Sequence, residues 1–305
     1  MRFGVIGTGY WAREVHAASV ASHPDASLVG VWGRDPAKAA SVADAFGAEP
    51  YADLDAMLDA VDAVTFSVPP FVQAEIAPRV ADAGRHLLLE KPLAIDVPAA
   101  DRIVEAVERN GVAALVFFTE RFLPSREAWL QALIAEGGCL GADANWLGSL
   151  LDPGNPFADS AWRMTEGALW DVGPHALSVV VPVLGPIAAV VGARGLGDLV
   201  HLVLTHESGA TSTLHLSLTM PPDATRSGLE FYRADGWHAR PDAPFDPLGA
   251  HRAAVADLVT AASTGPTRHR CDVRFGRDVV VSTAPSPRRP RRFSSATFTR
   301  LNSFP

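Results

Sequence analysis

Three groups of residues in this chain of 305 have the types and spacing that could do chemistry. The first is Gly7-Thr8-Gly9-Tyr10-Trp11-Ala12, a G-x-G-x-x-A run. In such a run the first glycine permits a tight turn and the second lets the backbone approach a pyrophosphate. The small last residue lets a helix pack closely on a strand, and the helix N-terminus faces the phosphates. The second is Lys91, which follows the apolar run His86–Glu90. Lys91 and Lys38 are the only lysines in a chain that otherwise uses arginine as its cation. A compact ammonium suits contact with a reacting oxygen where arginine would serve for surface charge; the plain alternative is a surface lysine. The third is Asp171 with His175, an i, i+4 pair that shares one face if the segment is a continuous helix. The plain alternative there is an ordinary aspartate and a histidine satisfied within a partly buried helix.

The elements needed to position these groups are legible as alternating periods. Strands are expected at Phe3–Gly7, Leu28–Trp32, Ala63–Val68, His86–Glu90 and Ala113–Phe118. Helices are expected between them at Tyr10–Ser22, Ala37–Phe46, Glu75–Ala83 and Val97–Arg109. Asp35 is placed to cap the second helix, with Pro36 at its first turn. Buried strands alternating with helices imply βαβ units and a parallel sheet, so the first part of the chain is a Rossmann fold. After Phe118 the pattern changes. Helices at Arg126–Glu136 and Gly167–Leu184 flank a strand at Gly141–Leu150. Strand-like runs follow at Ile187–Arg194, Leu199–His206, Thr211–Thr219 and Leu229–Arg233, with turn signals at Glu207-Ser208-Gly209 and Asp235-Gly236. Hairpin spacing of this kind gives a mostly antiparallel sheet. A helix at Gly249–Ser263 and the start of an amphipathic one at Asp272–Val281 complete the pattern. The overall expectation is α/β: a Rossmann domain over 1–119, an α+β substrate and oligomerisation domain over 120–281, and an atypical or disordered arginine- and proline-rich tail over 282–305.

The end of the second strand sets the choice of dinucleotide. An acid there, roughly 20 residues after the glycine motif, would hold the ribose hydroxyls of NAD. Gly33 occupies the place of that acid, and Arg34 beside it can pair with a 2′-phosphate, so NADP is expected ahead of NAD. In the plain reading Arg34 is solvated and Asp35 only caps a helix. Val68-Pro69-Pro70, ending the third strand, either shapes the wall beside the cofactor or is a strand-ending turn.

Taken together, the glycine motif, the run Gly84–Pro92 ending in Glu90-Lys91-Pro92, the segment Gly167-Ala168-Leu169-Trp170-Asp171-Val172-Gly173-Pro174-His175, and the hairpin-rich sheet after it resemble the Gfo/Idh/MocA family (glucose–fructose oxidoreductase, inositol dehydrogenase) over about residues 1–281. The resemblance implies a nicotinamide-dependent dehydrogenase or reductase acting on a secondary alcohol or ketone of a sugar, polyol or related small molecule. It implies that Lys91, Asp171 and His175 face the nicotinamide. His175 would act as general base, Lys91 would stabilise the developing negative charge, and Asp171 would hold a hydroxyl or orient the site. Glu90 and Lys91 would line the cofactor site, and one sheet face would join subunits of a homo-oligomer. Arg121, Trp162 and Arg163 are further candidates for the substrate side, with structural ion pairs or packing as the alternative. Two residues depart from the usual pattern: Gln73 stands where members often carry histidine, and Ser178 where many carry an acid. The same fold also serves noncatalytic ligand sensors and relatives that cleave glycosides through a transiently used nucleotide.

Composition narrows the partners. The net charge of −8 argues against a nucleic-acid groove, which needs a basic footprint. No uninterrupted apolar stretch reaches membrane-spanning length, the N-terminus lacks an export signal, and two cysteines give no disulfide framework; a cytoplasmic protein is expected. His201, His206 and His215 read as sheet-face residues, and no metal is expected. Five arginines and no acid between Ser282 and Pro305 form an abrupt break in composition, of the kind that a change of reading frame produces.

Overall fold

The computed structural model describes residues 1–265, 268–284 and 292–293. Within it the chain forms two compact units. One comprises Met1–Glu136, Leu177–Val179 and Pro241–Ala284, and the other contains Gly137–Ala176 and Val180–Arg240.

The first unit opens with β1 (Arg2–Ile6), whose last four residues are buried. A π-helical turn, Ala12–Ala17, follows the glycine motif and runs on into α1 (Ala18–Ala21). Then come β2 (Ser27–Trp32), α2 (Pro36–Phe46), β3 (Glu49–Tyr51), α3 (Leu54–Ala60), β4 (Ala63–Phe66), α4 (Pro70–Asp82), β5 (His86–Glu90), α5 (Val97–Asn110), β6 (Ala114–Phe117) and α6 (Pro124–Glu136). The six strands form one parallel sheet in the order β3-β2-β1-β4-β5-β6, the order of a dinucleotide-binding sheet whose ligand lies where the winding reverses. That reversal falls between β1 and β4. Small residues let the helices sit close: Ala12, Ala17, Ala39, Val42 and Ala43 pack on Val5 and Val31 in one buried cluster. Asp35, Asp53 and Asp96 cap α2, α3 and α5 with their carboxylates, as P-rich and D-rich helix starts favour.

The second unit begins with β7 (Gly141–Leu147), α7 (Ala161–Asp171) and α8 (Gly173–Leu184). Strands β8 (Ile187–Arg194), β9 (Val200–His206), β10 (Thr211–Ser217), β11 (Arg226–Arg233) and β12 (Gly236–Ala239) follow. The first unit then receives α9 (Pro247–Thr264) and α10 (Val273–Thr283). A two-residue strand, β13 (Arg292–Phe293), completes a seven-stranded sheet in the order β12-β11-β7-β10-β9-β8-β13. Its pairs are antiparallel except β7 with β10 and β8 with β13. Along β9 every second residue is buried, so one face packs and the other is open. On the open face Val191 pairs with Val203, and His201 with His215; both valines are more than half exposed or close to it, at 57% and 50%. The His201 and His215 rings meet Nδ1 to Nδ1 at 2.6 Å, and His215 faces Asp143 at 3.3 Å. His206 is buried instead, against the Gly185 carbonyl and the Ser212 hydroxyl.

The observed elements correct several expectations. β3 and α3 were not foreseen. α4 begins at Pro70 rather than Glu75, because Pro69-Pro70 opens a helix, as proline at a first turn does, and does not merely end a strand. The expected single helix Gly167–Leu184 starts at Ala161 and is two helices. Gly167 takes a left-handed φ of 69° inside α7, and Val172 separates α7 from α8. The helix expected at Asp272–Val281 runs to Thr283 and packs on α5, tied by Arg277 to Asp101 and Arg274 to Glu108, each at 2.7 Å. The stretch Ala161–Leu184 contains an 18-residue window apolar enough for a membrane span, but 72% of that window is buried. Apart from residues 282–284 and 292–293, the arginine- and proline-rich tail lies outside the described residues.

Candidate active site

The carboxyl ends of β1, β4 and β5 form the crevice in which a doubly wound sheet binds ligands. Gly7 lies at φ 133°, and a Cβ there would stand 2.2 Å from the Ser67 carbonyl oxygen. Only glycine admits this close approach of the β1 and β4 ends. Gly9 is the converse case. No heavy atom lies within 4 Å of where its Cβ would be, so the backbone at the start of the first helix presents an open face. That pairing of tight and open glycines fits a pyrophosphate cradle. Thr8 is half-buried, Tyr10 is exposed and Ala12 is fully buried. Gly33, at the end of β2, faces the Thr8 methyl so closely that a Cβ would meet it at 2.5 Å. Arg34 beside it is exposed, while the Asp35 carboxylate accepts from the backbone N–H groups of Ala37 and Lys38. Asp35 therefore serves the helix, as its plainer reading had it.

Lys91 follows β5 directly, in the turn Glu90-Lys91-Pro92, where the Lys91–Pro92 peptide is cis. Gln73, on α4 and fully buried, clamps this turn. Its side-chain oxygen accepts from the Glu90 N–H at 2.8 Å, and its amide nitrogen donates to the carbonyls of Glu90, Leu93 and Pro92 at 2.8, 3.1 and 3.3 Å. Val68 and Pro69 are half-buried just before α4, and the Pro69 carbonyl accepts from Val72 and Gln73. The diproline thus fixes the start of the helix that carries the clamp.

Below Lys91 lies a polar cluster that the sequence did not disclose. The Glu90 carboxylate turns inward. Its Oε1 accepts from the Trp11 indole at 2.8 Å and faces His16 Nε2 at 3.1 Å, and its Oε2 accepts the Lys91 N–H at 3.0 Å. His16 Nδ1 meets the Thr65 hydroxyl at 2.7 Å, Thr65 meets His251 Nε2 at 3.2 Å, and His251 Nδ1 meets Ser19 at 2.5 Å. His16, Ser19, Thr65 and His251 are all completely buried. Phe117 packs its ring edgewise against both imidazoles. Burial pushes His16 down to about 3 and His251 well below its ordinary value, whereas it pushes Glu90 up against the opposing charge of Lys91. One signal was available: His16 falls on the buried stripe of the first helix with Ala12, Val15 and Ala17. Nothing in sequence connects it to His251.

In the second unit the candidate residues are arranged differently from a single helical face. Asp171 ends α7 and His175 lies in the first turn of α8, so the helical i, i+4 argument does not hold across Val172. Asp171 is 1% exposed and bound by Arg163 Nε at 3.0 Å. Arg163 also donates to Ser160 and stacks its guanidinium over Phe157 and Trp162. Trp162 and Arg163 thus belong to α7 itself rather than to a segment before it; Arg163 holds the Asp171 carboxylate, and the Trp162 ring packs on the Arg163 guanidinium. His175 is half-buried. Arg121, in the first unit, is 2% exposed, chelated by Glu127 at 2.7 and 3.2 Å, and donates to the Ser178 carbonyl. Its contacts are those of a structural ion pair. Among the described residues no group of three or more metal-ligating side chains is gathered.

A parallel sheet in this order, a glycine cradle at its first turn, and a lysine at the mouth of the same crevice define a nicotinamide-dinucleotide-dependent oxidoreductase. Residues 1–118 match the oxidoreductase family with an NAD-binding Rossmann fold, and residues 131–238 match the Gfo/Idh/MocA C-terminal domain. The chain belongs to the Gfo/Idh/MocA family. It is 27% identical to a dTDP-3,4-didehydro-2,6-dideoxy-alpha-D-glucose 3-reductase of Streptomyces antibioticus, over 92% of this chain and 95% of that protein. It is 28% identical to the NADP(+)-dependent D-xylose 1-dehydrogenase 2 of Haloferax volcanii, over 88% and 90%. In fold it is similar to the WlbA dehydrogenase of Bordetella pertussis, solved with NADH and UDP-GlcNAcA, with a TM-score of 0.78 at 22% identity over 92% of this chain and 94% of that one.

The buried imidazoles make a prediction about acid stability. The folded value of His16, about 3, lies below the ordinary 6.5. As pH falls through 6.5 the unfolded chain therefore takes up a proton that the native chain refuses, and stability is lost down to about 3. Between pH 7 and pH 5 this amounts to about 2 kcal/mol for His16, and His251 acts in the same direction. Glu90, raised by burial, opposes part of the loss. Urea unfolding at the two pH values should show a lower midpoint at pH 5, and His16→Phe should flatten that pH dependence; a midpoint indifferent to pH in the native chain contradicts the assignment of neutral rings.

Proposed function

We propose that residues 1–119 hold NADP in preference to NAD and that 120–281 supply the substrate side of a dehydrogenase for a secondary alcohol of a sugar or polyol-like small molecule. The observation that carries this reading is Lys91 clamped at the carboxyl end of β5, in the same crevice as the open cradle at Gly9. A bound nicotinamide supplies the hydride acceptor or donor. The chain's own residues do the rest. His175 takes the hydroxyl proton, since imidazole is the side chain that exchanges protons nearest neutrality. The Lys91 ammonium hydrogen-bonds the same oxygen and stabilises its developing negative charge. Asp171, buried and braced by Arg163, acts as an orienting group. In the reducing direction His175 returns the proton while the Lys91 ammonium polarises the carbonyl oxygen.

Net turnover separates this reading from a ligand sensor or a glycoside-cleaving relative. With a panel of polyols, sugars and their ketones, nicotinamide absorbance should change steadily. His175→Asn should lower kcat by ~10²–10⁴-fold and Lys91→Met by ~10²–10³-fold, with dinucleotide binding retained. Tight nucleotide binding with no turnover would point to the sensor, and product without net nicotinamide change to the hydrolytic relative.

The preference for NADP rests on Arg34 standing exposed where no acid is free, Asp35 being bound to its helix. Losing a charged hydrogen bond of about 1.5–3 kcal/mol, Arg34→Ala should weaken NADP binding roughly 10- to 100-fold and leave NAD binding unchanged. Equal weakening of both would remove the basis for the preference.

The open face of the second sheet, with Val191 and Val203 side by side, supports self-association into a homo-oligomer. Sedimentation should find more than one copy per particle, and Val203→Glu should reduce the assembly to a single chain. A native chain that sediments as a monomer rejects it.

A further inference from the structure

The buried contacts from Glu90 to Ser19 admit two complete hydrogen-bonding patterns. A neutral imidazole carries one N–H, and each hydroxyl has one proton to donate. With Glu90 ionised, His16 must donate from Nε2 to Glu90 Oε1. Thr65 then donates to His16 Nδ1, His251 donates from Nε2 to the Thr65 oxygen, and Ser19 donates to His251 Nδ1. With Glu90 protonated, every one of these bonds reverses. Glu90 donates to His16 Nε2, His16 Nδ1–H to Thr65, Thr65 to His251 Nε2, and His251 Nδ1–H to Ser19. The Ser19 hydroxyl is then released to the His16 carbonyl, which lies 2.9 Å away. In both patterns Oε1 still accepts from Trp11 and Oε2 from the Lys91 N–H. The second pattern holds one proton more than the first, and that proton neutralises Glu90. Each ring exchanges an Nε2–H for an Nδ1–H and stays uncharged.

We propose that Glu90 is a positioning residue for Lys91, and that the chain Glu90–His16–Thr65–His251–Ser19 is a two-state relay whose reversal switches the charge beneath Lys91 without leaving any of its members unpaired. A buried polar group left without a partner is destabilising, and a fixed chain would incur that cost whenever Glu90 changed its protonation. The groups facing Glu90 are few. Trp11 and His16 come from the first helix and His251 from α9, Gln73 on α4 holds its backbone, and Lys91 follows it. Of these only Lys91 is charged, because burial keeps both imidazoles neutral. Burial also raises Glu90, and the Lys91 charge favours its ionised form. The carboxyl is therefore the group that takes the proton, and its state is felt at Lys91. This inference rests on the reading of Lys91 as the group that meets the reacting oxygen.

The test uses the full chain labelled with ¹⁵N-histidine and needs no substrate. Ring-nitrogen spectra are followed between roughly pH 5 and pH 9, with His16 and His251 identified through His16→Gln and His251→Gln. The rings of His16 and His251 should exchange the Nε2–H for the Nδ1–H tautomer together, at one midpoint, and the exchange should vanish in Glu90→Gln. Fixed tautomers, or either ring becoming a cation in that range, overturn the relay. A second readout addresses the link to Lys91. Because Lys38 and Lys91 are the only lysines, trace acetylation followed by mass spectrometry gives the reactivity of Lys91 relative to exposed Lys38. Across the same midpoint that ratio should fall by about tenfold as Glu90 ionises and holds the ammonium. The inflection should be lost in Glu90→Gln, and its midpoint should shift in Thr65→Val and return in Thr65→Ser. A ratio that is flat in the native chain, that keeps its inflection in Glu90→Gln, or whose midpoint is unmoved in Thr65→Val overturns the proposal. Absence of turnover with tautomer exchange intact would instead count against the dehydrogenase reading alone.

Discussion

Burying a carboxylate beneath the mouth of the crevice is the constraint from which the first unit's interior follows. An ionisable group out of water must be matched by donors, or it surrenders its charge. Glu90 finds those donors on the first helix and in its own turn: an indole, an imidazole and the next backbone N–H. The imidazole in turn needs a partner for its second nitrogen, which brings in Thr65 of β4, and Thr65 brings in His251 of α9. One charge therefore ties together the first helix, β4, β5 and a helix that returns some 160 residues after β5. The π-helical turn belongs to the same constraint. It places His16 over the sheet while Ala12 keeps its contact with Val5 and Val31, and such wide turns are found preferentially at functional sites.

How much of this was legible in sequence depended on how local the cause was. The glycine cradle, the strands of the first sheet and the capped helices rest on contacts a few residues apart, and their periods and caps announce them. Two elements are not anticipated, and for the first of them the signal is present. Leu54, Met57, Leu58 and Val61 repeat at i, i+3, i+4 and i+7 behind the cap Asp53, the pattern of a short helix. Glu49-Pro50-Tyr51 was harder to recognise, because three residues with a central proline show no alternation and belong only at a sheet edge. The division of the apolar stretch after Ala161 was also written in the chain. Gly173-Pro174 reads as the start of a new helix, since proline belongs in a first turn rather than in an interior. What could not be read was the pairing of His16 with His251. It depends on the path of the whole chain between them, and each histidine taken alone reads as an ordinary buried residue.

Gln73 shows why a departure from the family pattern can leave the site's logic intact. The position must supply an acceptor to the Glu90 N–H and donors to carbonyls of the lysine turn at once. A side-chain amide does both and carries no charge at any pH. A histidine there would offer one donor and one acceptor in its neutral form only, and would add a third titratable ring to an interior that already holds two. With glutamine the clamp is independent of pH. The change of charge beneath the lysine turn is then confined to Glu90, and the protonation of one carboxyl is felt by one ammonium through their opposing charges.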